Sequence, residues 1–406
     1  MRDSLRREGN ATVGFFSTIP RRVTWLIFAG LFNNIGIGYL LVYLTAFFPE
    51  IGVSPGVVGL LLGLEGAMLF LSIPLGIRSD RRGRKNILLV GSAIVAVPMI
   101  MMALTVEVPL LIVAALLFGV AESAFLSTWN AMIADQTNLA NRDAAFSLSF
   151  IVSTGGVAFG FLLPFFLPLV EEVTGIGAVP IHQDLLVLVG VLSLLTPLIV
   201  YAIFKNYKET VNPGKLIRGP NFRLLLKFSG INGIIGLGAG FIIPLIPTWL
   251  FLKFQLSDTV SGPVLAVSSL TIAMAAVLSP RISGRLGVLR AILTTQGLST
   301  AFMLSLALVP TAALAISLYI IRAALMNMAS PLIDSYLMGI MTQEERGLAS
   351  AVNTVIWRLP NSVSTIIGGV ILAAGIFDLP FYLATALYVL AIGLFYSQFK
   401  NIHPNS

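Results

Sequence analysis

The chain of 406 residues has no cysteine and only two histidines, His182 and His403. Disulfides, thiolate metal sites and thiol nucleophiles are therefore excluded. His182 falls in a loop and His403 in the C-terminal tail, so an imidazole metal site or a catalytic dyad within an apolar core is excluded as well. Charge is also scarce: 11% of the residues are Asp, Glu, Lys or Arg, where a soluble domain carries about a quarter. The glycine cluster Gly155-Gly156-Val157-Ala158-Phe159-Gly160 has no strand before it and no Lys-Ser or Lys-Thr after it, so it is not a phosphate loop. It reads as a helix-packing seam. No nucleophile–base pair or nucleotide site remains. No cofactor is expected, and an enzyme is the weakest reading.

What the chain has instead is apolar length, with 57% hydrophobic residues and a mean hydropathy of +0.94. A membrane helix needs roughly 20 apolar residues. Twelve such spans can be drawn, at 23–47, 56–77, 86–105, 108–133, 145–169, 185–204, 228–251, 261–282, 289–309, 311–338, 349–373 and 379–398. The polar, basic stretch 205–227, with Pro213-Gly214 and Gly219-Pro220, divides them six and six. The expected protein is all-α: a tail at 1–22, a six-helix bundle at 23–204, a linker at 205–227, a second bundle at 228–398 and a tail at 399–406.

Lys and Arg collect on the cytoplasmic side of membrane proteins. With both termini placed there, 22 of the 25 Lys and Arg fall on that side; Lys253 falls outside, and Arg322 and Arg358 lie within spans. The external loops hold acids: Glu50, Glu107, Glu171, Glu172, Asp184, Asp258 and Asp378. The net charge of +7 is thus a matter of topology, and no nucleic-acid partner is expected. Arg2, Arg6, Arg7, Arg21 and Arg22 precede a span longer than the ~15-residue limit of a signal-peptide core, so they read as a retained cytoplasmic tail. The expected location is the cell membrane, multi-pass, with both termini in the cytoplasm.

The halves look duplicated. A shift of 204 residues lays Arg81 and Gly83 on Arg285 and Gly287, Arg142 on Arg346, and Asn130 on Asp334. Many transporters are built from such repeats, with the substrate held where they meet.

The second and third spans are joined by Gly76-Ile77-Arg78-Ser79-Asp80-Arg81-Arg82-Gly83-Arg84-Lys85. Its spacing, G-x-x-x-D-R-x-G-R-K, resembles the signature of the loop between helices 2 and 3 in the major facilitator superfamily of secondary transporters. The resemblance covers the whole chain in architecture and this loop in strict motif. It implies two helical bundles that rock around a central site, and members that usually act as monomers. It also implies a cytoplasmic gate, here Gly76, Asp80, Arg81, Gly83 and Arg84 with Asp135 as partner, that latches the halves together. Asp80 is further expected to cap a neighbouring helix, where the dipole favours negative charge. Drug–proton antiporters of the superfamily carry a Gly-Pro pair in the fifth helix that is absent here, which weakens that assignment.

Ionisable groups inside a bilayer cost several kcal/mol each and call for a reason. Four lie near mid-span: Glu65, Glu122, Arg322 and Arg358. The acids belong to the first half and the bases to the second, so their pairing can change as the halves open and close. Burial favours the uncharged form of a carboxyl group, which fits Glu65 or Glu122 for proton coupling. The opposing reading is a permanent pairing of each acid with an Arg. A guanidinium stays charged and grips a carboxylate or phosphate with two parallel bonds, so Arg322 and Arg358 are candidates for contact with an anionic or zwitterionic substrate. Asn33, Asn34, Trp129, Asn130, Asn232, Asn327 and Trp357 are candidates for further polar or stacking contacts; for any single Asn, bonding to a neighbouring helix is the commoner use.

The expected function is secondary transport of a small organic solute, proton-coupled, with sodium not excluded. Multidrug efflux is the alternative within transport. A lipid translocase or a non-transporting membrane sensor is the alternative of another class.

Overall fold

The computed structural model of the chain describes residues 16–138, 140–207, 209, 220–342 and 345–401. Arg2, Arg6, Arg7, Pro213, Gly214, Gly219 and His403 lie outside the described residues, as do positions 208 and 210–219 of the expected linker. Twelve long helical segments run in series among the described residues: α1 Arg21–Glu50, α2 Pro55–Arg82, α3 Lys85–Leu104, α4 Val108–Asp135, α5 Arg142–Thr174, α6 Ala178–Phe204, α7 Phe222–Phe254, α8 Asp258–Leu286, α9 Val288–Ala307, α10 Ala312–Ile340, α11 Arg346–Ala373 and α12 Leu379–Phe399. No strand occurs among the described residues. Helices satisfy their own backbone groups, the condition for standing in lipid.

Eleven of these helices are long and apolar enough to cross a membrane. The ninth expected span is a helix of 20 residues, α9, but its composition falls short of the others. It carries a polar stripe of Thr295, Gln296, Ser299 and Thr300, all buried. Thr295 and Thr300 donate to carbonyls one turn back in their own helix, and Ser299 donates to the carbonyl of Arg322 on α10. The stripe faces protein, which lowers the mean hydropathy without exposing polar atoms to lipid.

The start of α1 and the end of α12 share one face of the bundle, here the terminal face, with the 76–85 loop; the α1–α2 turn marks the far face. Helix ends follow local chemistry. Ser54 caps α2 by accepting from the Gly56 amide at 3.3 Å, with Pro55 in the first turn. Gly83 and Gly287, 204 positions apart, close α2 and α8 with φ of +95° and +77°, a region open to glycine. The repeat recurs in hydrogen bonds. Arg142 donates to Ala134 O at 3.3 Å, and Arg346 to Met338 O at 3.2 Å. Asn141 accepts from the Asn138 amide and donates to Thr18 O; at the matching place, Glu345 accepts from the amides of Thr342 and Asn221.

Within the first six helices α1 packs on α5, and α4 on α2 and α3; within the last six α7 packs on α11 and α12, and α10 on α8 and α9. The α1–α5 seam is the expected one: a Cβ added to Gly38 or Gly160 would come within 2.2 Å of a carbonyl oxygen of the facing helix. The most extensive contacts of one set of six against the other are α2 on α11 and α5 on α8, and α1 also touches α7 and α8. Regular α-helix is broken at Tyr43–Phe47, Leu69–Leu71, Leu163–Phe166 and Ile243–Leu245. Irregular backbone at membrane depth is tolerated where it lines a cavity or is covered by protein, and the last of these breaks lines both cavities described next.

Candidate transport site

Two cavities adjoin: one lies between the two sets of six helices, and the other is lined by residues of the last six alone. The first, of about 370 Å³, is lined by Glu65, Glu122 and Arg358 among apolar side chains such as Leu41, Leu62, Phe118 and Phe161. The second, of about 460 Å³, is lined by Arg322, Arg358, Asn232, Asn327, Trp357 and Asp334, among others. Arg358, Asn361, Ile243 and Pro244 belong to both walls. The α7 break therefore places a proline at the junction, and α11 supplies the shared guanidinium.

Glu65 lies one turn before the 3-10 segment of α2, and α4 packs tightly over it: a Cβ on Gly119 would meet the Glu65 carbonyl at 2.5 Å. Glu122 lies less than a turn further along α4. Among the described residues, neither acid makes an ion pair within 4 Å with Arg358. The guanidinium of Arg358 rests 5.5 Å from the centre of the Trp357 ring.

Arg322 is 3% exposed. Its Nη2 donates to the hydroxyl of Tyr388 at 2.9 Å, its Nε has no hydrogen-bond partner, and no carboxylate lies within ion-pair distance of it among the described residues. A buried cation is normally paired. This one faces a cavity instead.

Some sequence candidates stand apart from both cavities. Asn33, Asn34, Trp129 and Asn130 line neither. Asn34 donates to Gly30 O of its own helix, and Trp129 packs on Phe125 while donating to Ser149. Asn232 and Asn327 do line the larger cavity, where Asn232 donates to Asn353 and Asn327 to Ala323 O. The sequence reading missed Tyr388, Asn361, Asn353 and Ser268, because their place follows from which face of an almost uniformly apolar helix turns inward.

The larger cavity leads to the terminal face. Its lining residues Ser330, Asp334 and Thr354, nearest the terminal-face ends of α10 and α11, are exposed, while Arg322 and Tyr388 are buried. The far face is closed. There Thr248 of α7 donates to Thr45 O of α1 at 2.5 Å, and a Cβ on Gly262 of α8 would come within 2.2 Å of Phe161 O of α5.

The 76–85 loop forms a compact cluster at the terminal face. Arg84 bonds Asp80 at 2.8 Å, pairs with Asp135 and donates to Ala131 O at 3.0 Å. Asp80 does not cap a helix; Glu209 accepts the orphan amides of Arg84 and Lys85 at 2.8 and 2.7 Å. Gly83 is needed twice, for its positive φ and because a Cβ there would collide with Glu209. Gly76 accepts from the Ser79 hydroxyl, and Arg81 is exposed. In this conformation these contacts join α2, α3 and α4 to one another, on the open side of the molecule.

The family profile of the Major Facilitator Superfamily matches residues 26–227 and again residues 228–405. The chain belongs to the Major Facilitator Superfamily. Among curated proteins, none matches it closely enough in sequence to count as a relative. Solved structures match over nearly the whole chain. A bacterial homologue of the human lysosomal transporter Spinster, in an inward-facing and unoccupied conformation, is 16% identical with a TM-score of 0.69, covering 94% of this chain and 98% of its own. A POT family peptide transporter is 13% identical with a TM-score of 0.73, covering 95% and 99%. The human organic anion transporter MFSD10 is 16% identical with a TM-score of 0.62, covering 92% and 99%. At such identities they share the fold. As a member of the Major Facilitator Superfamily the protein is a multi-span secondary transporter and not an enzyme.

Proposed function

We propose that the protein moves a small organic solute bearing a carboxylate or phosphate group, with protons as the coupling ion. The observation that carries this reading is Arg322, buried and without a carboxylate partner, at the wall of a 460 Å³ cavity. A guanidinium in that position leaves a fork of donors for an anionic substrate group. Arg358, at the junction, is the second substrate contact, and Asn232 and Asn327 supply neutral donors and acceptors.

Glu65 and Glu122 are the proton carriers in this reading. They share an apolar cavity with Arg358 but are not locked to it, so their charge state can respond to what Arg358 binds. The terminal face is the cytoplasmic one, because the basic 76–85 loop lies there. The conformation is then open to the cytoplasm, as the inward-facing Spinster homologue is. The 23–204 and 228–398 bundles rock about the α2–α11 and α5–α8 contacts, and the Asp80–Arg84–Asp135 cluster acts as the cytoplasmic gate when they close. The apolar walls around Glu65 favour a second reading, efflux of amphipathic drugs.

The test is purified protein in liposomes that enclose a pH dye, with imposed proton gradients and pools of amino acids, carboxylates, phosphorylated solutes and cationic drugs. Proton flux driven by an anionic pool supports the proposal. Uptake of an anion that ignores the proton gradient removes the coupling, and flux with cationic drugs alone replaces the substrate class.

A further inference from the structure

The far face holds a titratable cluster that the transport site does not use. His182 lies in the first turns of α6, 4% exposed, with its ring stacked on Phe47 at 3.9 Å and 0°. Its Nε2 is 2.7 Å from Oδ2 of Asp258, which is 2% exposed at the start of α8. The Asp258 amide donates to Oε1 of Glu50 at the end of α1, at 2.5 Å. Glu50 and His182 belong to the first six helices and Asp258 to the last six, so the cluster bridges the closure.

We infer that this cluster is a proton-binding latch: one proton held between His182 and Asp258 ties the far-face ends of the two halves together, and its loss releases them.

The hydrogen-bond geometry dictates that proton. His182 Nδ1 lies 2.7 Å from Ala178 O, a carbonyl that can only accept, so Nδ1 carries a hydrogen. The contact from Nε2 to Oδ2 then needs a second one, held either as imidazolium against carboxylate or as neutral ring against carboxylic acid. Without it, a nitrogen lone pair faces an ionised carboxylate between two buried side chains. Tyr39 fixes the backbone by donating to His182 O at 3.1 Å. The titratable groups facing His182 are Glu50 and Tyr39 from α1, with Tyr43 behind Tyr39, and Asp258 from α8; Asp184 on its own helix is exposed. Two carboxyl groups meet one imidazole, so losing the proton leaves the cluster with an added negative charge and no counter-ion. Raising the pH therefore opens the far face. This rests on the family's alternation between states and not on proton coupling at Glu65 and Glu122.

The chain has no cysteine, so paired spin labels can be placed cleanly at Glu107→Cys and Thr311→Cys, exposed far-face positions in different halves. Distances are measured in lipid nanodiscs by pulsed electron resonance from about pH 5 to pH 8, the range in which histidine changes charge. The short distance is expected to dominate at low pH and to give way to a longer one as pH rises. His182→Gln offers Asp258 a permanent donor, and Asp258→Asn offers one to the ring, so each variant is expected to stay closed at every pH. The response is expected to persist in Glu65→Gln/Glu122→Gln. A wild-type distribution that does not move over this range overturns the latch. So does a response that survives both His182→Gln and Asp258→Asn, or one abolished by the cavity variants while His182→Gln keeps it. Should the latch variants fail to fold, ¹⁵N spectra decide: His182 and His403 are the chain's two histidines, and a His182 signal that stays fixed while the distances change overturns the assignment.

Discussion

Arg322 gives one Nη2 hydrogen bond to Tyr388 at 2.9 Å and leaves its Nε toward no partner, though the residue is 3% exposed. The hydroxyl of Tyr388 is a neutral acceptor. It orients the guanidinium without neutralising it, which preserves the charge for a ligand.

Arg322→Lys keeps the charge but loses the planar fork. Affinity for an anionic substrate is expected to fall by about tenfold or more, which corresponds to ~1.4 kcal/mol. Tyr388→Phe is expected to cost less, because only orientation is lost. Uptake kinetics in liposomes, read as KM for each variant, check both. Equal KM in Arg322→Lys and the parent chain removes Arg322 from the substrate contact.

Glu65 and Glu122 face the same cavity as Arg358, so a neutral replacement tests proton carriage at nearly constant shape. Glu122→Gln and Glu65→Gln are each expected to abolish proton movement with substrate, while exchange of labelled for unlabelled solute across the membrane continues. The readout is dye-reported proton flux beside isotope exchange in the same vesicles. Full proton flux in both variants would contradict the assignment.

Two glycine contacts predict opposite phenotypes. Gly160 packs α5 on α1 within the first six helices, whereas Gly262 packs α8 on α5 across the far-face closure. A methyl at either site meets backbone oxygen at 2.2 Å, and overpacking of this kind costs about 1–3 kcal/mol. Gly160→Ala is expected to lower the unfolding temperature. Gly262→Ala is expected to leave it nearly unchanged and to favour the far-face-open conformation, because that state removes the clash. Thermal unfolding and the spin-label distances described above separate the two.

Much of this arrangement is legible in the sequence, because a lipid solvent imposes long apolar runs and a basic loop on one side. The 76–85 motif and the 204-residue repeat both reappear as geometry, in the positive φ of Gly83 and Gly287 and in the paired bonds of Arg142 and Arg346. His182 was less legible. It precedes the apolar run at 185–204 and so reads as a loop residue, but α6 begins at Ala178 and buries it against Asp258, a partner 76 positions away. Spacing carries no trace of such a contact. The same holds for Asn33, Asn34 and Trp129: when nearly every face of a helix is apolar, periodicity does not say which one turns toward the cavity. In α9 the polar stripe is the visible mark of an inward face, and it is what sets that helix apart from the other spans.

Glu345 gives a prediction for pH outside the membrane-spanning helices. Burial pushes its carboxyl group upward, but hydrogen bonds from the amides and side chains of Thr342 and Asn221 outweigh that and hold it below the usual glutamate value. The stability it contributes is therefore fully present above the unfolded value, about pH 4.3, and is lost as pH falls through the lower folded value. Its counterpart 204 positions earlier is Asn141, which performs a similar bridging role with an amide that does not titrate. Acid sensitivity at this joint thus belongs to the second half alone. Glu345→Gln is expected to lower the unfolding temperature at neutral pH and to flatten its decline between about pH 5 and pH 3, since an amide accepts fewer and weaker hydrogen bonds than a carboxylate at any pH. Asn141→Asp is expected to install the missing sensitivity in the first half. Unfolding temperatures of the parent and both variants across this range check the sign: an unaltered pH slope in Glu345→Gln means that the carboxylate is not what the α7 start depends on.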